Sequence, residues 1–364
     1  MEKLLGFGCM RLPMKGNEVD YDEFNKMIDY YFENGFNYFD TAHGYINGKS
    51  EIAIRECLSK RYDRSKFILT NKLTDVYFRK EEDIEPFFNN QLEACGVDYF
   101  DYYLMHAQNR DNYKHFMKCN AYEVAKRFKE EGKIKHLGIS FHDTSDILEN
   151  ILKEHDEIEI VQIQFNYLDF KDPTVQSEKC YEVCRKYNKQ VLIMEPVKGG
   201  GLVRLPEEAK KVFDKLNNGL SYASYAVRFA ASFDGVYKVL SGMSNLEQMK
   251  DNVSYMKNFK KITKDEQEAI DEVTNILKGV GGIPCTACRY CVEGCPMNIK
   301  IPDLFACYNA KKQFKDWNSS MYYGIATKES GKASDCIKCG QCEMACPQHI
   351  NIRERLEEIA EIFE

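Results

Sequence analysis

The sequence predicts an α/β protein in two parts, a closed (β/α)8 barrel over residues 1–280 and a small, mainly helical domain over residues 281–364. Eight short apolar runs, separated by segments of helical period, predict the barrel. Eight of the 15 cysteines fall in two short runs, at 285–295 and 336–346, and these mark the second domain. A chain of 364 residues is long enough for one large domain and one small one.

The eight apolar runs are rich in aromatic and β-branched residues, which favour strands. Because polar and apolar residues do not alternate in them, both faces are expected to be covered, as in a parallel sheet. Eight strands joined by crossover helices within about 250 residues fit a closed TIM barrel better than an open sheet. No G-x-G-x-x-G motif follows any of these runs. The runs are 5–10, 36–40, 67–72, 102–106, 136–140, 161–165, 191–195 and 236–241.

Composition excludes several classes of protein. Hydrophobic residues make up 44% of the chain and charged residues 29%, as in ordinary globular proteins. A net charge of -7 disfavours a nucleic-acid partner or an anionic membrane. The apolar stretch at the N-terminus is too short and too interrupted by glycine to form the core of a signal sequence. No later apolar stretch approaches the roughly 18 residues that span a bilayer. We therefore expect a cytoplasmic protein.

The two cysteine runs share the spacing C-x2-C-x2-C-x3-C-P. In this spacing the first three thiolates surround one four-iron, four-sulfur cluster, and the fourth cysteine, followed by proline, reaches the neighbouring cluster. The runs therefore predict two 4Fe-4S clusters whose fourth ligands cross over. One cluster is expected to bind Cys285, Cys288, Cys291 and Cys346, and the other Cys336, Cys339, Cys342 and Cys295.

This cysteine pattern resembles that of two-cluster ferredoxin modules, over about residues 282–364. Zinc is the alternative, but a zinc ribbon uses two separated pairs of ligands and leaves half of these cysteines unexplained. Pro302 is placed to open a helix between the runs, and Ile352, Leu356 and Ile359 recur at helical spacing after them. The module is thus expected to be helical, and Cys307, inside its first helix, to be a packed thiol.

Polar residues follow the second, third and fourth apolar runs. Asp40 ends the second run, and Tyr45 lies in the loop behind it. Lys72 ends the third run, and His106 ends the fourth. In a (β/α)8 barrel the reactive groups lie at the carboxyl ends of the strands, where the loops converge. These four residues are therefore predicted to face one mouth of the barrel.

Three segments carry a resemblance to a known family. Residues 40–45 (D-T-A-H-G-Y), 70–72 (T-N-K) and 104–106 (L-M-H) resemble the catalytic tetrad of the aldo-keto reductases. Ser140, within G-I-S, and Gln162 match the positions that bind the nicotinamide carboxamide in that family. The resemblance covers roughly residues 4–280, and it implies an enzyme that transfers hydride between NAD(P) and a small carbonyl or alcohol.

The chemistry of the four residues agrees with that implication. Reduction of a carbonyl places negative charge on oxygen, which must receive a proton as hydride arrives at carbon. Tyr45 is the expected donor, and it needs a neighbouring cation, because a free phenol with a pKa of about 10 is a weak acid. Lys72 is expected to supply that charge and Asp40 to fix the lysine. His106 is expected to orient the carbonyl oxygen, and His43 to face solvent.

Two segments are expected to hold the nucleotide. In 191–201 the glycines allow close approach to a pyrophosphate, but Met194 stands where many family members stack an aromatic ring. In 241–252 the family's usual basic residues, which grip the 2'-phosphate of NADP, are missing, so the sequence leaves NADH and NADPH open. The candidate contacts are Met194, Pro196, Lys198, Gly199, Gly200, Ser241, Gly242, Met243, Gln248 and Asn252.

The two predicted cofactors differ in electron count. Nicotinamide transfers two electrons as hydride, whereas each cluster passes one, so direct exchange requires a converter such as a flavin, for which no motif is evident. The clusters are thus expected to serve an external electron donor or acceptor, an unrecognised flavin, sensing or structure. The rival interpretation is an iron-sulfur electron-transfer or redox-sensing protein on a barrel scaffold without nicotinamide chemistry, or a flavin-mediated reductase.

Overall fold

A computed structural model describes residues 3–279, 281–285 and 287–364. Eight parallel strands form a closed barrel, in which each strand pairs with its neighbours along the chain and the last pairs with the first. The predicted fold class is confirmed, and every predicted apolar run overlaps one of the strands. The strands are β1 (Leu5–Gly8), β2 (Tyr38–Asp40), β3 (Ile68–Leu73), β4 (Phe100–Gln108), β5 (Ile134–Phe141), β6 (Ile160–Gln164), β7 (Gln190–Met194) and β8 (Val236–Ser241).

The strand register brings the predicted reactive residues to the carboxyl ends of neighbouring strands. Asp40, the last residue of β2, pairs with Gly8 on one side and Thr70 on the other. Lys72 lies two residues beyond Thr70, and therefore on the same face of β3 and nearer the mouth. It pairs with Leu104, two residues before His106 in β4.

Side chains fill the interior of the barrel near the amino ends of the strands. One buried cluster gathers residues from β2, β4, β6 and β8, as the layered packing of such barrels requires, together with one residue of β7. Gly138 of β5 leaves room for this layer, because a Cβ atom there would lie 2.5 Å from Ile160 and 2.6 Å from Leu104. The cluster consists of Tyr38, Tyr102, Leu104, Ile160, Leu192 and Leu240.

The contacts divide the chain into two compact units. The first comprises residues 1–166, 178–197 and 219–262, and it contains all eight barrel strands. It also contains a short hairpin, Met14–Lys15 with Glu18–Val19, and a π-helical turn, Arg55–Ser59. Its helices are Tyr21–Glu33, Lys49–Ile54, Ile84–Cys95, Asn112–Lys118, Ala121–Glu130, Ser145–Glu154, Ser177–Lys186 (from its second residue), Tyr222–Ala231 and Leu246–Met256.

The second unit comprises residues 167–177, 198–218 and 263–364. Two segments from the barrel part of the sequence thus group with the cysteine-rich part, so the contacts do not divide at residue 280. The predicted boundary there stays a prediction. The helices of this unit are Glu207–Asp214, Lys264–Gly279, Tyr290–Glu293, Ile301–Phe314, Ser319–Thr327, Gln341–Met344 and Ile352–Phe363.

The cysteine-rich part is helical, as predicted. Pro302 lies in the first turn of helix Ile301–Phe314, where its missing N–H costs no helical hydrogen bond. Leu356 and Ile359 of the last helix, Ile352–Phe363, are buried in one apolar core with Leu304 of helix Ile301–Phe314. Cys307 is buried in the same core, as expected of a packed thiol. Among the described residues, no helix has the length and apolar character needed to cross a membrane.

Candidate active site and cluster-binding cysteines

The structure brings Asp40, Tyr45 and Lys72 together. The ammonium of Lys72 donates hydrogen bonds to Asp40 Oδ1 at 2.6 Å and to the carbonyl oxygen of Thr41 at 2.8 Å. Its third contact is the hydroxyl oxygen of Tyr45, at 3.2 Å. These three contacts use all the donors of an ammonium group. Because Lys72 and Asp40 are buried, their ion pair is poorly screened by solvent.

The protonation states follow from burial and from this cation. Burial raises the pKa of Tyr45, and Lys72 partly offsets that rise, so the phenol is protonated at neutral pH. Burial alone would lower the pKa of Lys72, but attraction to Asp40 and Tyr45 outweighs it and leaves the pKa above its ordinary value. Tyr45 therefore holds a proton beside a permanent positive charge.

His106 is a neutral imidazole at this site. Burial, followed by repulsion from Lys72 and His142, lowers its pKa well below the ordinary value. Its Nδ1 lies 2.7 Å from the hydroxyl of Thr74, and its ring centre lies 6.2 Å from that of Tyr45. When Thr74 donates to Nδ1, the ring proton lies on Nε2, which can then donate to a substrate oxygen.

Ser140 and Gln162 are register partners across β5 and β6. Ser140 accepts a hydrogen bond from the backbone N–H of Ala107 at 2.7 Å, so its hydroxyl proton is left to donate. Gln162 is buried, and within the described part of the chain its Oε1 has no hydrogen-bond partner. A buried acceptor without a partner is costly, and a carboxamide N–H would satisfy it. These residues thus fit a nicotinamide, and Met194 and Pro196 lie at and just beyond the end of neighbouring β7.

The segment 241–252 is held by its own side chains. Gln248 accepts a hydrogen bond from the N–H of Ser244 at 2.8 Å, and Asn252 donates to the hydroxyl of Ser241 at 3.1 Å. Met243 is fully buried, whereas Gly242 presents only backbone. The segment's cofactor role stays a prediction, and neither Gly242 nor Gln248 carries a positive charge that could pair with a 2'-phosphate.

Lys198, Gly199 and Gly200 belong to the second unit. The ammonium of Lys198 is buried and lies 2.7 Å from Asp169 and 3.0 Å from Asp316. Burial lowers the pKa of Lys198, but these two carboxylates more than reverse the effect, so the group is a paired cation. The predicted role of Lys198 at a pyrophosphate stays a prediction. Both carboxylates would compete with a pyrophosphate for its ammonium group.

His43, which was expected to face solvent, is half-buried and hydrogen-bonded. Its Nδ1 lies 2.6 Å from the carboxylate of Glu51, a fully buried residue of helix Lys49–Ile54. The hydrogen bond to Glu51 raises the pKa of His43 above its ordinary value. Glu51, like Thr74, was missed by the sequence reading. A signal existed, because Glu51 shares the helix face of buried Ile54 and Leu58 at helical spacing.

The eight motif cysteines line two small cavities in the second unit. Each cavity is lined by three cysteines from one run and the last cysteine of the other, which is the grouping that the predicted crossing requires, and the role of these cysteines as cluster ligands stays a prediction. Most of the other lining side chains are apolar, and Cys288 and Cys339 are exposed. The first cavity contains Cys285, Cys288, Cys291 and Cys346, and the second contains Cys336, Cys339, Cys342 and Cys295.

Four cysteines around such a cavity fit a 4Fe-4S cluster, in which each thiolate binds a different iron atom. The ligands of a single metal ion lie closer to one another than the four thiolates of a cluster do. Over residues 3–279, 281–285 and 287–364, no three side chains of histidine, cysteine, aspartate or glutamate are arranged to hold a single metal ion.

A closed barrel that carries a tyrosine, a lysine, an aspartate and a histidine at the carboxyl ends of neighbouring strands has the features of an oxidoreductase. Residues 4–275 match the model of the aldo/keto reductase family, and residues 284–350 match that of the 4Fe-4S dicluster domain. The chain belongs to the aldo/keto reductase family and carries a dicluster domain behind its family domain.

Known relatives resemble the barrel part. The chain is 24% identical over 304 residues to an uncharacterized oxidoreductase, YqkF, of Bacillus subtilis, a match that covers 74% of this chain and 92% of the relative. It is 26% identical to the NADH-specific methylglyoxal reductase of Escherichia coli, over 46% of this chain and 54% of that protein. The holo aldo-keto reductase AKR11C1 of Bacillus halodurans superposes with a TM-score of 0.60 and 26% identity, over 74% of this chain and 91% of that one.

Proposed function

We propose that this protein reduces a small aldehyde or ketone with hydride from NADH, and that Tyr45 is the proton donor. The observation that carries the proposal is the buried contact of Tyr45 with Lys72, at 3.2 Å, while Asp40 holds the same ammonium at 2.6 Å. A bound nicotinamide would supply the hydride. The chain would supply the proton and the charges around the carbonyl oxygen.

The residues have distinct roles in this scheme. His106, through Nε2–H, and Tyr45, through its hydroxyl, donate hydrogen bonds to the carbonyl oxygen and fix the carbonyl carbon in one orientation. As the oxygen gains charge, the phenol proton moves to it. The phenolate left behind is stabilised by the Lys72 ammonium, whose position depends on Asp40. The proton lost by Tyr45 must then be replaced from solvent before another turnover.

The carboxamide of the nicotinamide would be held by Ser140 and Gln162, and the orphaned Gln162 Oε1 supports this assignment. We infer a preference for NADH over NADPH. The uncharged Gly242 and Gln248 support it, because a 2'-phosphate gains most of its affinity from charge-assisted hydrogen bonds. The Escherichia coli relative whose name specifies NADH agrees with this inference. Titration of the purified protein with both reduced nucleotides checks it.

We assign the two cysteine-lined cavities to 4Fe-4S clusters that exchange single electrons with an external carrier. Each cluster would have one exposed ligand, Cys288 in one and Cys339 in the other, and exposure of a ligand shortens the path to a docked partner. The clusters would supply one-electron chemistry, which is separate from hydride transfer unless a converter is present.

The first test of the proposed function is anaerobic oxidation of NADH by the reconstituted protein with a panel of carbonyls. The panel begins with methylglyoxal and glyoxal, which appear in the names of two relatives. Tyr45→Phe should lower kcat by about 10²–10⁴-fold, the usual contribution of a general acid, with little change in the Kd for NADH. Tyr21→Phe, on the exposed start of helix Tyr21–Glu33, is the control. Turnover that survives Tyr45→Phe would refute the assigned acid.

A further inference from the structure

Glu51 lies at the centre of a buried polar network beside the proposed proton donor, although it touches neither Tyr45 nor Lys72 through its side chain. It accepts hydrogen bonds from three side chains, and none of the reaction steps described above uses it. Its donors are His43 Nδ1 at 2.6 Å, Asn71 Nδ2 at 2.8 Å and Gln91 Nε2 at 3.3 Å. A buried carboxylate is costly unless such donors surround it, so these bonds are expected to persist.

One side of the network fixes the backbone of Lys72. Asn71 Oδ1 accepts the N–H of Lys72 at 2.8 Å, and Gln91 Nε2 donates to the carbonyl oxygen of Lys72 at 3.0 Å. Gln91 is itself oriented by the hydroxyl of Tyr103, which donates to its Oε1 at 2.6 Å. Both peptide groups of Lys72 are thus tied to side chains that bind Glu51.

The other side of the network fixes the loop that carries Tyr45. His43 precedes Tyr45 by two residues, and its imidazole binds Glu51. Immediately after Tyr45 the chain passes through three left-handed residues, Ile46 at φ 52°, Asn47 at φ 54° and Gly48 at φ 83°. A left-handed β-branched residue is an unfavourable backbone state that persists only when surrounding contacts hold it.

We propose that Glu51 is a positioning residue, which holds the Tyr45 loop through His43 and the Lys72 strand through Asn71 in one fixed relation. The proposal rests on the proposed function of Tyr45 and Lys72. Their 3.2 Å contact joins a strained loop to a strand end, and Glu51 is hydrogen-bonded to residues on both sides of that contact. Displacement of about 1 Å between catalytic groups is enough to cost a large factor in rate.

Glu51→Gln tests the proposal. The new amide can keep its oxygen toward Asn71 and Gln91, but it removes the negative charge from the hydrogen bond to His43 and so weakens the link to the Tyr45 loop. We expect kcat for carbonyl reduction to fall by about 10–100-fold while the Kd for NADH changes by less than about twofold. Glu56→Gln, a nearby partly exposed carboxylate paired with Arg55 and Lys60, is the matched control and should change neither quantity.

A second readout does not depend on turnover. The resonance of ¹³Cζ-labelled Tyr45, assigned by its loss in Tyr45→Phe, reports the titration of the phenol. If Lys72 moves away in Glu51→Gln, the phenolate loses its cation and the pKa of Tyr45 should rise by roughly 0.5–1. A merely destabilising substitution would lower the folded fraction and leave this pKa unchanged.

His43→Gln provides a milder test, because His43 is only half-buried and the amide N–H of the new side chain can still donate to Glu51. It should shift the Tyr45 titration in the same direction by less, and the double variant should match Glu51→Gln alone, because both act through one path. An unchanged titration in folded Glu51→Gln would overturn the proposal, and if that variant does not fold, an unchanged titration in His43→Gln does so. Failure of the wild type to reduce any carbonyl would instead refute the proposed function.

Discussion

At the scale of single residues, the site places the phenol of Tyr45 beside the buried ammonium of Lys72. Asp40, Tyr45, Lys72 and His106 could be proposed from the sequence because each follows a strand-like run, and the carboxyl ends of parallel strands meet at one mouth. Glu51 and Thr74 could not be ranked in the same way. Their importance depends on which donor or acceptor they meet, and that is decided by helix rotation and strand register rather than by residue type.

In the proposed mechanism, the charge on Lys72 sets the alkaline limit of the reaction. Reduction needs a protonated Tyr45, so kcat/KM should fall as the pH rises through the pKa of Tyr45 and should be level below it. Lys72 holds that pKa down against burial, with Asp40 acting more weakly in the opposite direction. The double variant Asp40→Asn/Lys72→Met should therefore move the alkaline fall to higher pH and lower the plateau by about 10²–10³-fold.

A pH profile of the wild type and of this double variant, with NADH saturating, measures both effects. Replacing both partners avoids leaving an unpaired buried carboxylate, which would destabilise the fold by itself. A fall in rate that moves to lower pH in the variant would contradict the role given to Lys72.

At the scale of elements, the barrel strands were predictable because eight apolar runs recur with helical segments between them. The structure differs mainly at strand ends. β4 continues to Gln108, two residues past the predicted run, and its register with β5 shifts between Met105 and Gln108, with Ala107 at φ 52°. The pattern of apolar residues does not predict this irregularity, which depends on the hydrogen bond from Ala107 N–H to Ser140.

The grouping of residues 167–177 and 198–218 with the cysteine-rich part could not be predicted from the sequence pattern either, because it arises from tertiary contacts.

Close packing of the barrel interior depends on a glycine in β5. An alanine Cβ at Gly138 would lie 2.6 Å from the backbone oxygen of Ile160, which cannot rotate away. Gly138→Ala should therefore lower the free energy of unfolding by about 1–3 kcal/mol, as overpacked cores do. Gly324→Ala, in helix Ser319–Thr327 with open space around it, is the control and should raise stability by about 0.5–1 kcal/mol. Urea unfolding measures both, and a neutral Gly138→Ala would contradict this view of the interior.

At the scale of the whole molecule, one chain combines a domain of the aldo/keto reductase family with a 4Fe-4S dicluster domain. Nicotinamide transfers two electrons as hydride, whereas a 4Fe-4S cluster transfers one electron at a time. Cysteine spacing alone predicted how the eight motif cysteines group around the two cavities, because the spacing and the prolines restrict where each thiolate can reach. If the cysteines bind two clusters in this grouping, each run is needed for both clusters.

The crossing of ligands can be tested by measuring the iron content of cysteine variants and by identifying which cluster each variant loses. Cys346→Ser should disrupt the cluster of the first run, lowering the bound iron by about half, because Cys346 completes the cavity of Cys285, Cys288 and Cys291. Mössbauer spectra of Cys346→Ser and Cys288→Ser should show loss of the same cluster. Cys307→Ala, a buried cysteine outside both cavities, should leave the iron content unchanged. Loss in Cys346→Ser of the cluster that Cys339→Ser removes, rather than the one that Cys288→Ser removes, would show that the ligands do not cross.

The central claim is that the barrel transfers hydride directly from nicotinamide to a carbonyl, without passage of the electrons through the clusters. The most direct measurement uses NADH dideuterated at C4 in anaerobic, unlabelled water, followed by mass spectrometry of the alcohol. Direct transfer predicts one deuterium in each alcohol molecule formed, bound to the former carbonyl carbon. Alcohol that carries no deuterium would mean that the electrons travelled by the clusters or a flavin and the hydrogen came from solvent, which would contradict direct hydride transfer.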